Sequence, residues 1–319
     1  MKAFTVREKG AEPALVEVEK PLPTKGCTLV RVHACGLNFA DLLMVRGTYQ
    51  ETPEPPFTLG MEVAGVVAAE DPAGGGPGVG TRVAVYGGNG GLSEYGLFPT
   101  ERLVSLPDSV DFADAAALPI AYGTSHVALD HKARLQPGET LLVLGAAGGV
   151  GLTAVEIGKL MGARVIACAR GADKLAVARA AGADHLIDAE TDDIRAAVKA
   201  LGGADVVYDP VGGAQFEAAF RATNPEGRIL VIGFASGDIP EVKPNHMLVK
   251  NIDLLGFYWG GYMKFRPAVV TDSLAQLFRW LEEGRIRPHI SHRLPLDQAA
   301  EGLDLLRRRA STGKVIIEP

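Results

Sequence analysis

Gly148 and Gly151, three residues apart between an apolar run and an amphipathic one, are the positions where residue type and spacing speak most directly of chemistry. From Thr140 to Lys174 the chain reads TLLVLGAAGGVGLTAVEIGKLMGARVIACARGADK. LLVL suits a buried parallel strand; a glycine-dense turn, a stretch of helical spacing and a second apolar run, RVIACA, follow it. A dinucleotide pyrophosphate needs close backbone approach, which glycine permits, and the open N–H groups of a helix N-terminus. Strand, glycine turn, helix and strand in that order are half of a dinucleotide-binding unit. Gly148 is expected to allow the close approach and Gly151 the tight packing of helix on sheet. With Ala147, Gly149 and Val150 they form the predicted phosphate-binding turn. Ala146 stands where the first glycine of GxGxxG falls, so the pattern is slightly degenerate. The competing explanation is a glycine-rich turn in an unrelated α/β domain, since the chain holds 39 glycines; the flanking context argues against it.

Units of this kind that bind NAD place an Asp or Glu about 20 residues beyond the glycines to take the ribose 2′-hydroxyl, and those that bind NADP place positive charge there. Here Arg170 follows the second apolar run, Lys174 lies one turn into the next helix, and no carboxylate comes before Asp173. A guanidinium fork fits a phosphate, and a charge-assisted pair contributes roughly 1.5–3 kcal/mol. The alternative, solvated cations at a helix start, runs against the helix dipole. NADPH is the predicted cofactor.

Around this segment the pattern divides the chain. Residues 1–119 read as β-rich: KAFTV, TLVRVHACG, EVAGVVAAE, TRVAVYGG and EYGLF are short runs separated by Gly/Pro turns. Residues 120–256 alternate strand candidates (LLVL, ARVIACA, HLID, DVVYD, RILVIGF, IDLLGF) with helical stretches, the pattern of a parallel sheet covered on both faces. Residues 257–319 hold two longer amphipathic helices and a closing strand, GKVIIEP, and are read as a return to the first domain. With net charge −6 and no basic stripe, nucleic-acid binding is not expected. No signal-peptide pattern or transmembrane-length apolar run is seen. Cys27, Cys35 and Cys168, odd in number and widely spaced, offer no disulfide framework. The expectation is a cytoplasmic protein without membrane partners.

GLNFADLLMVRGTY at 36–49, PPFTLGMEVAGVV at 55–67, GAAGGVGL at 145–152 and TGKVII at 312–317 together resemble the medium-chain dehydrogenase/reductase superfamily, and within it the zinc-independent quinone oxidoreductases. The resemblance covers essentially the whole chain. It implies an α/β architecture in which a GroES-like β-rich catalytic domain is interrupted by a Rossmann domain with a doubly wound parallel sheet. It also implies a homodimer, for which the strand near LLGF is the candidate edge. Zinc-dependent relatives carry Cys where Asn38 stands and His where Met61 stands. Their structural zinc lobe has four closely spaced cysteines, whereas no cysteine occurs between Cys35 and Cys168. His289 and His292 have no third ligand nearby in sequence, and a catalytic zinc needs three. No metal is expected.

Without a Lewis acid the chemistry must suit hydride delivery to an electron-poor acceptor. The resemblance implies an NADPH-dependent quinone reductase. The nearest alternative is an enone (α,β-unsaturated carbonyl) reductase on the same scaffold, separated only by loops 49–58 and 257–265. An alternative of another class is a crystallin-like or RNA-binding protein, against which the acidic charge argues. Motif match puts Asn38 and Asp41 at the cleft beside the nicotinamide, Asn38 as hydrogen-bond donor to acceptor or cofactor; both are also ordinary helix caps. Tyr49 falls on the acceptor side, where a phenol with its ordinary pKa near 10 suits lining better than acid catalysis. Thr124, Phe234, Phe257 and Lys314 match cofactor-proximal segments, though core packing accounts for the phenylalanines equally well. Ala189 stands where some relatives carry a tyrosine near the adenosine phosphate, leaving the grip to Arg170 and Lys174.

Overall fold

Short, alternating β segments build the first part of the chain, and the computed structural model describes all residues, Met1–Pro319. The strands are β1 (Lys2–Val6), β2 (Ala14–Glu17), β3 (Cys27–Gly36), β4 (Phe57–Thr58), β5 (Glu62–Ala69), β6 (Arg82–Tyr86), β7 (Tyr95–Pro99) and β8 (Leu103–Ser105), with helices α1 (Phe39–Arg46) and α2 (Phe112–Ala116). Gly47 ends α1 in the left-handed region, at φ 67°, where glycine costs least. β3 is the central strand: it pairs antiparallel with β5, in a register that sets Cys35 opposite Val63 and Gly36 opposite Glu62. Val30, Leu37, Leu59, Val63, Leu92 and Phe98 fill the core beneath it.

The alternating part follows. Helix α3 (Ala121–His126) runs into a π-helical turn, Val127–Lys132. Then come β9 (Thr140–Leu144), α4 (Gly149–Leu160), β10 (Arg164–Ala169), α5 (Ala172–Ala180), β11 (His185–Asp188), α6 (Ile194–Ala200), β12 (Ala204–Asp209), α7 (Gly213–Ala222), β13 (Thr223–Val231), α8 (Pro244–Lys250) and β14 (Asp253–Gly256). The sheet order is β11-β10-β9-β12-β13-β14 and every pairing is parallel. β9 is buried along its whole length, as a strand covered on both faces must be. The direction in which strands are added across the sheet reverses between β9 and β12, so the crevice at their C-terminal ends is where such sheets take ligands. This is the doubly wound arrangement that the alternation predicts.

Helices α9 (Trp259–Phe265), α10 (Pro267–Glu282) and α11 (Ala299–Arg307) and strands β15 (Ile290–Pro295) and β16 (Lys314–Glu318) complete the chain. β16 joins β3, with Ile316 opposite Gly36, so the last strand completes the first sheet. By contacts, one unit comprises Met1–Ala121 with Leu277–Pro319 and the other Tyr122–Gln276. The return therefore comes later than residue 257. Three contacts hold the intervening segment to the second unit. Trp259 fills the space left by the missing Cβ of Gly123, Tyr262 stands edge-on to His131 at 5.6 Å, and Ser273 Oγ lies 2.8 Å from His126 Nδ1.

Candidate cofactor turn and buried polar network

At the end of β9 the backbone must turn sharply into α4. Gly145 makes the turn at φ +58°, a conformation that would strain any side chain. The tight-turn role that GxGxxG gives its first glycine thus falls one residue before Ala146, and Ala146 N–H is fastened to Cys168 O at 3.0 Å. A Cβ on Gly151 would lie 2.2 Å from Gly145 O, so glycine is compulsory there for helix to meet turn. Gly148 is different. A Cβ there would meet only Gly145 O, at 3.4 Å, so the protein's own packing does not demand glycine. Gly148 is exposed and is the N-cap of α4, and a glycine cap has no side chain to satisfy the first-turn donors. The N–H groups of Gly149, Val150 and Gly151 have no intrahelical acceptor, which is the donor set an anion requires. Ala147 is buried behind them.

Of the other predicted residues of this unit, Arg170, Lys174, Phe234 and Phe257 follow the C-terminal ends of strands of the same sheet. Arg170 is exposed directly after β10, and Lys174 is half-buried in the first turn of α5. Phe234, 38% exposed, follows β13 and borders the turn after β12 at Gly212; Phe257 follows β14 and packs on Tyr262 at 5.6 Å. Thr124 is buried in α3. One neighbour was not anticipated. Asp188, paired in register with Ala169, accepts from Gly171 N at 3.1 Å and Glu190 N at 3.0 Å, and these backbone donors hold its carboxyl below the usual range. The acid reaches the Arg170–Gly171 turn across the sheet, not along the chain. Ala189 N–H caps Ala169 O, and no side chain beyond a methyl stands there.

In the first unit the NFAD segment builds a closed polar cluster. Asn38 is the N-cap of α1, and Asp41 Oδ2 accepts from Asn38 N at 2.8 Å. Asn38 Nδ2 donates to Glu62 Oε1 at 2.9 Å and to Gly36 O at 3.4 Å. Lys314 Nζ donates to Leu37 O at 2.8 Å, to Asn38 Oδ1 at 2.9 Å and to Glu62 Oε1. Glu62 Oε2 accepts from Ile120 N at 2.7 Å, and Asp41 Oδ1 from Gly60 N at 3.2 Å. Every polar atom of the ammonium and the Asn38 amide is thereby engaged. Burial pushes the Asp41 carboxyl up to about 6, against the pull of its backbone donors. The Cys35 thiol, buried beside these carboxylates, is pushed up as well.

This closes off part of the expected site. Asp41 and Lys314, predicted to touch the cofactor, are 0% and 3% exposed and spend their polar atoms inside the cluster. Asn38 contributes an amide already donating with both hydrogens. Glu62 is the member sequence reasoning missed; its signal was an acid standing alone in an apolar strand, EVAGVV. Tyr49 packs half-buried against the core. The cluster does not fit zinc: the positions of the thiolate and imidazole ligands carry Asn38 and the buried Met61, and an ammonium stands among the carboxylates. His289 Nε2 pairs with Thr312 and His292 Nδ1 with Ser291, each at 2.9 Å.

Two family profiles match: the one described as alcohol dehydrogenase GroES-like domain over residues 24–108, and the one described as zinc-binding dehydrogenase over 149–275. The chain is 39% identical to a quinone oxidoreductase-like protein 2 homolog of Nematostella vectensis, over 96% of this chain and 86% of that protein. It is 38% identical to quinone oxidoreductase-like protein 2 of Bos taurus, over 96% of this chain and 89% of that one. Among solved structures, the quinone oxidoreductase of Thermus thermophilus, described alone and in complex with NADPH, superimposes with a TM-score of 0.87 and 34% identity over the full length of both chains.

Proposed function

Because the chain belongs to the quinone oxidoreductase family of the medium-chain dehydrogenase/reductase superfamily, we propose that it is a zinc-independent oxidoreductase that transfers hydride from NADPH to a quinone. The observation that carries this reading is the side-chain-free N-cap at Gly148, opening three uncapped donors beside the cationic end of β10. In this reading Gly149, Val150 and Gly151 hold the pyrophosphate through their N–H groups, and Arg170 and Lys174 hold the 2′-phosphate. The bound nicotinamide supplies the hydride. Thr124, Phe234 and Phe257 are the residues proposed to serve the cofactor, and Tyr49 the one proposed to serve the acceptor. Asn38 and Asp41 act as positioning residues: their hydrogen bonds fix the start of α1 and the Gly60 turn, with Lys314 and Glu62 as the charged support. The complex of the Thermus thermophilus protein with NADPH supports the cofactor assignment.

The proposed setting is a cytoplasmic homodimer. No helix is long and apolar enough to cross a membrane, and the three cysteines are unpaired. β14 ends the sheet, and Leu248 and Val249 of the neighbouring α8 are 75% and 76% exposed, an edge suited to a second copy.

Titration with NADPH and NADH, followed by steady-state assays over a panel of quinones and enones, tests the assignment. NADPH-dependent quinone turnover is expected. Enone turnover with quinones inert would move the assignment to an enone reductase, and stoichiometric zinc or failure to bind NADPH would overturn it.

A further inference from the structure

Beneath the phosphate-binding turn lies a line of hydroxyl groups for which the proposed chemistry gives no role. Tyr208 of β12, Ser125 of α3 and Thr153 of α4 are 0%, 0% and 4% exposed. Tyr208 Oη lies 2.9 Å from Ser125 Oγ, and Ser125 Oγ lies 2.8 Å from Thr153 Oγ1. Both Ser125 Oγ and Thr153 Oγ1 are 3.0 Å from Val150 O, in donating geometry. Hydroxyls of α3 and α4 thus meet on a single carbonyl in the first turn of α4, with Tyr208 of β12 behind Ser125.

That carbonyl belongs to the peptide whose N–H is Gly151. A hydrogen bond to the oxygen of an amide draws electron density from its nitrogen and makes the N–H a better donor; chains of hydroxyls reinforce the effect when all protons run one way. Ser125 and Thr153 each have donating geometry to Val150 O. Burial pushes the Tyr208 phenol well up, so it stays protonated and is able to donate to Ser125 behind them. Gly151 N–H, at the third position of a helix whose cap has no side chain, receives the benefit.

We infer that Tyr208, Ser125 and Thr153 form a hydroxyl relay that polarises the Val150–Gly151 peptide and strengthens the Gly151 N–H as a donor to the bound pyrophosphate. The inference rests on the proposed NADPH site, and the relay residues act as positioning residues that touch no ligand.

The test compares Tyr208→Phe and the double variant Ser125→Ala/Thr153→Val with the intact chain, in two measurements. The first is the amide ¹H and ¹⁵N shift of Gly151 in ligand-free protein, which reads the polarisation without any ligand. The second is affinity for NADPH against adenosine 2′-monophosphate, which lacks the pyrophosphate. Expected are an upfield shift of Gly151 in both variants and NADPH binding weaker by about three- to fivefold, with adenosine 2′-monophosphate held equally well. Thr153→Ser, which keeps the hydroxyl, is expected to match the intact chain in both readouts. An unmoved Gly151 amide, or equal loss for both ligands, would overturn the relay. Failure of the intact chain to bind NADPH would overturn the proposed function instead, with the amide shift still deciding whether the peptide is polarised.

Discussion

Lys314 Nζ, on the last strand, donates to Asn38 Oδ1 at 2.9 Å across 276 residues of sequence, and both side chains meet on Glu62 Oε1. A buried ion pair is weak evidence for stability, but removing one partner strands the other, at a cost of about 3–5 kcal/mol. Lys314→Met is therefore expected to lower unfolding stability by roughly that amount in urea denaturation. Lys314→Met with Glu62→Gln should recover part of the loss, because no charge is then left unpaired. A double variant no more stable than Lys314→Met alone would show that the ammonium's bonds to Leu37 and Asn38, and not the charge pair, are what matter.

Asp41 gives the same unit a pH dependence. Its carboxyl rises from an ordinary 3.8 to about 6 because burial penalises the charged form. A raised carboxyl contributes stability fully below the unfolded value, and the contribution is lost as pH climbs through the folded value. Between pH 4 and 6 Asp41 should therefore withdraw about 3 kcal/mol, opposing the gain from ordinary paired carboxylates. Carboxyl ¹³C titration of the folded protein should show a midpoint near 6, and a midpoint near 4 would reject the account. Asp41→Asn does not remedy the loss. Asp41 accepts from both Asn38 N and Gly60 N on separate oxygens, and an asparagine must present its NH2 to one of those donors.

How far the residue pattern reaches is visible in these clusters. Strands β9, β10 and β12 were legible because a sheet covered on both faces requires apolar runs, β11, β13 and β14 from shorter runs at its flanks, and Gly151 because only glycine lets helix meet turn there. Helices α8 and α9 were not: PNHMLVK and WGGYMKF are too short for a helical period to stand out, and α9 contains two glycines. The Asn38–Asp41 relation was readable as a cap. Its linkage to Glu62 and Lys314 was not, since it depends on the β3–β5 and β16–β3 registers, which join residues far apart in sequence. Asp188 was hidden for the same reason.

The two glycines of the phosphate turn should separate stability from binding. Gly151→Ala places a methyl 2.2 Å from backbone oxygen that cannot yield, so the helix must shift. A loss of about 2 kcal/mol or more and loss of NADPH binding are both expected. Gly148→Ala meets only a 3.4 Å contact, so unfolding stability should stay within about 0.5 kcal/mol, yet the methyl projects where a phosphate would approach. Weaker NADPH binding by Gly148→Ala at unchanged melting temperature is the expected signature. Unchanged binding would mean the ligand does not approach this face.

Cofactor preference turns on opposing charges at one turn. Arg170 offers the fork for a 2′-phosphate, while Asp188 lies one strand away with its carboxylate tied to Gly171 N, the residue after Arg170. Arg170→Ala removes the attraction and should narrow the NADPH over NADH preference about tenfold or more. Asp188→Asn tests the repulsion cleanly. A single carboxylate oxygen accepts from both Gly171 N and Glu190 N, and an asparagine oxygen can accept the same pair, so the turn keeps its shape while a negative charge is lost. The preference for NADPH should then widen by about two- to threefold at low salt and return toward the starting value at high salt, as screening removes the effect of the acid. Titrations of both cofactors at two ionic strengths measure this. A preference unchanged in Asp188→Asn would place the 2′-phosphate away from β11 and leave Arg170 and Lys174 to act alone, and one that narrows would reject the repulsion.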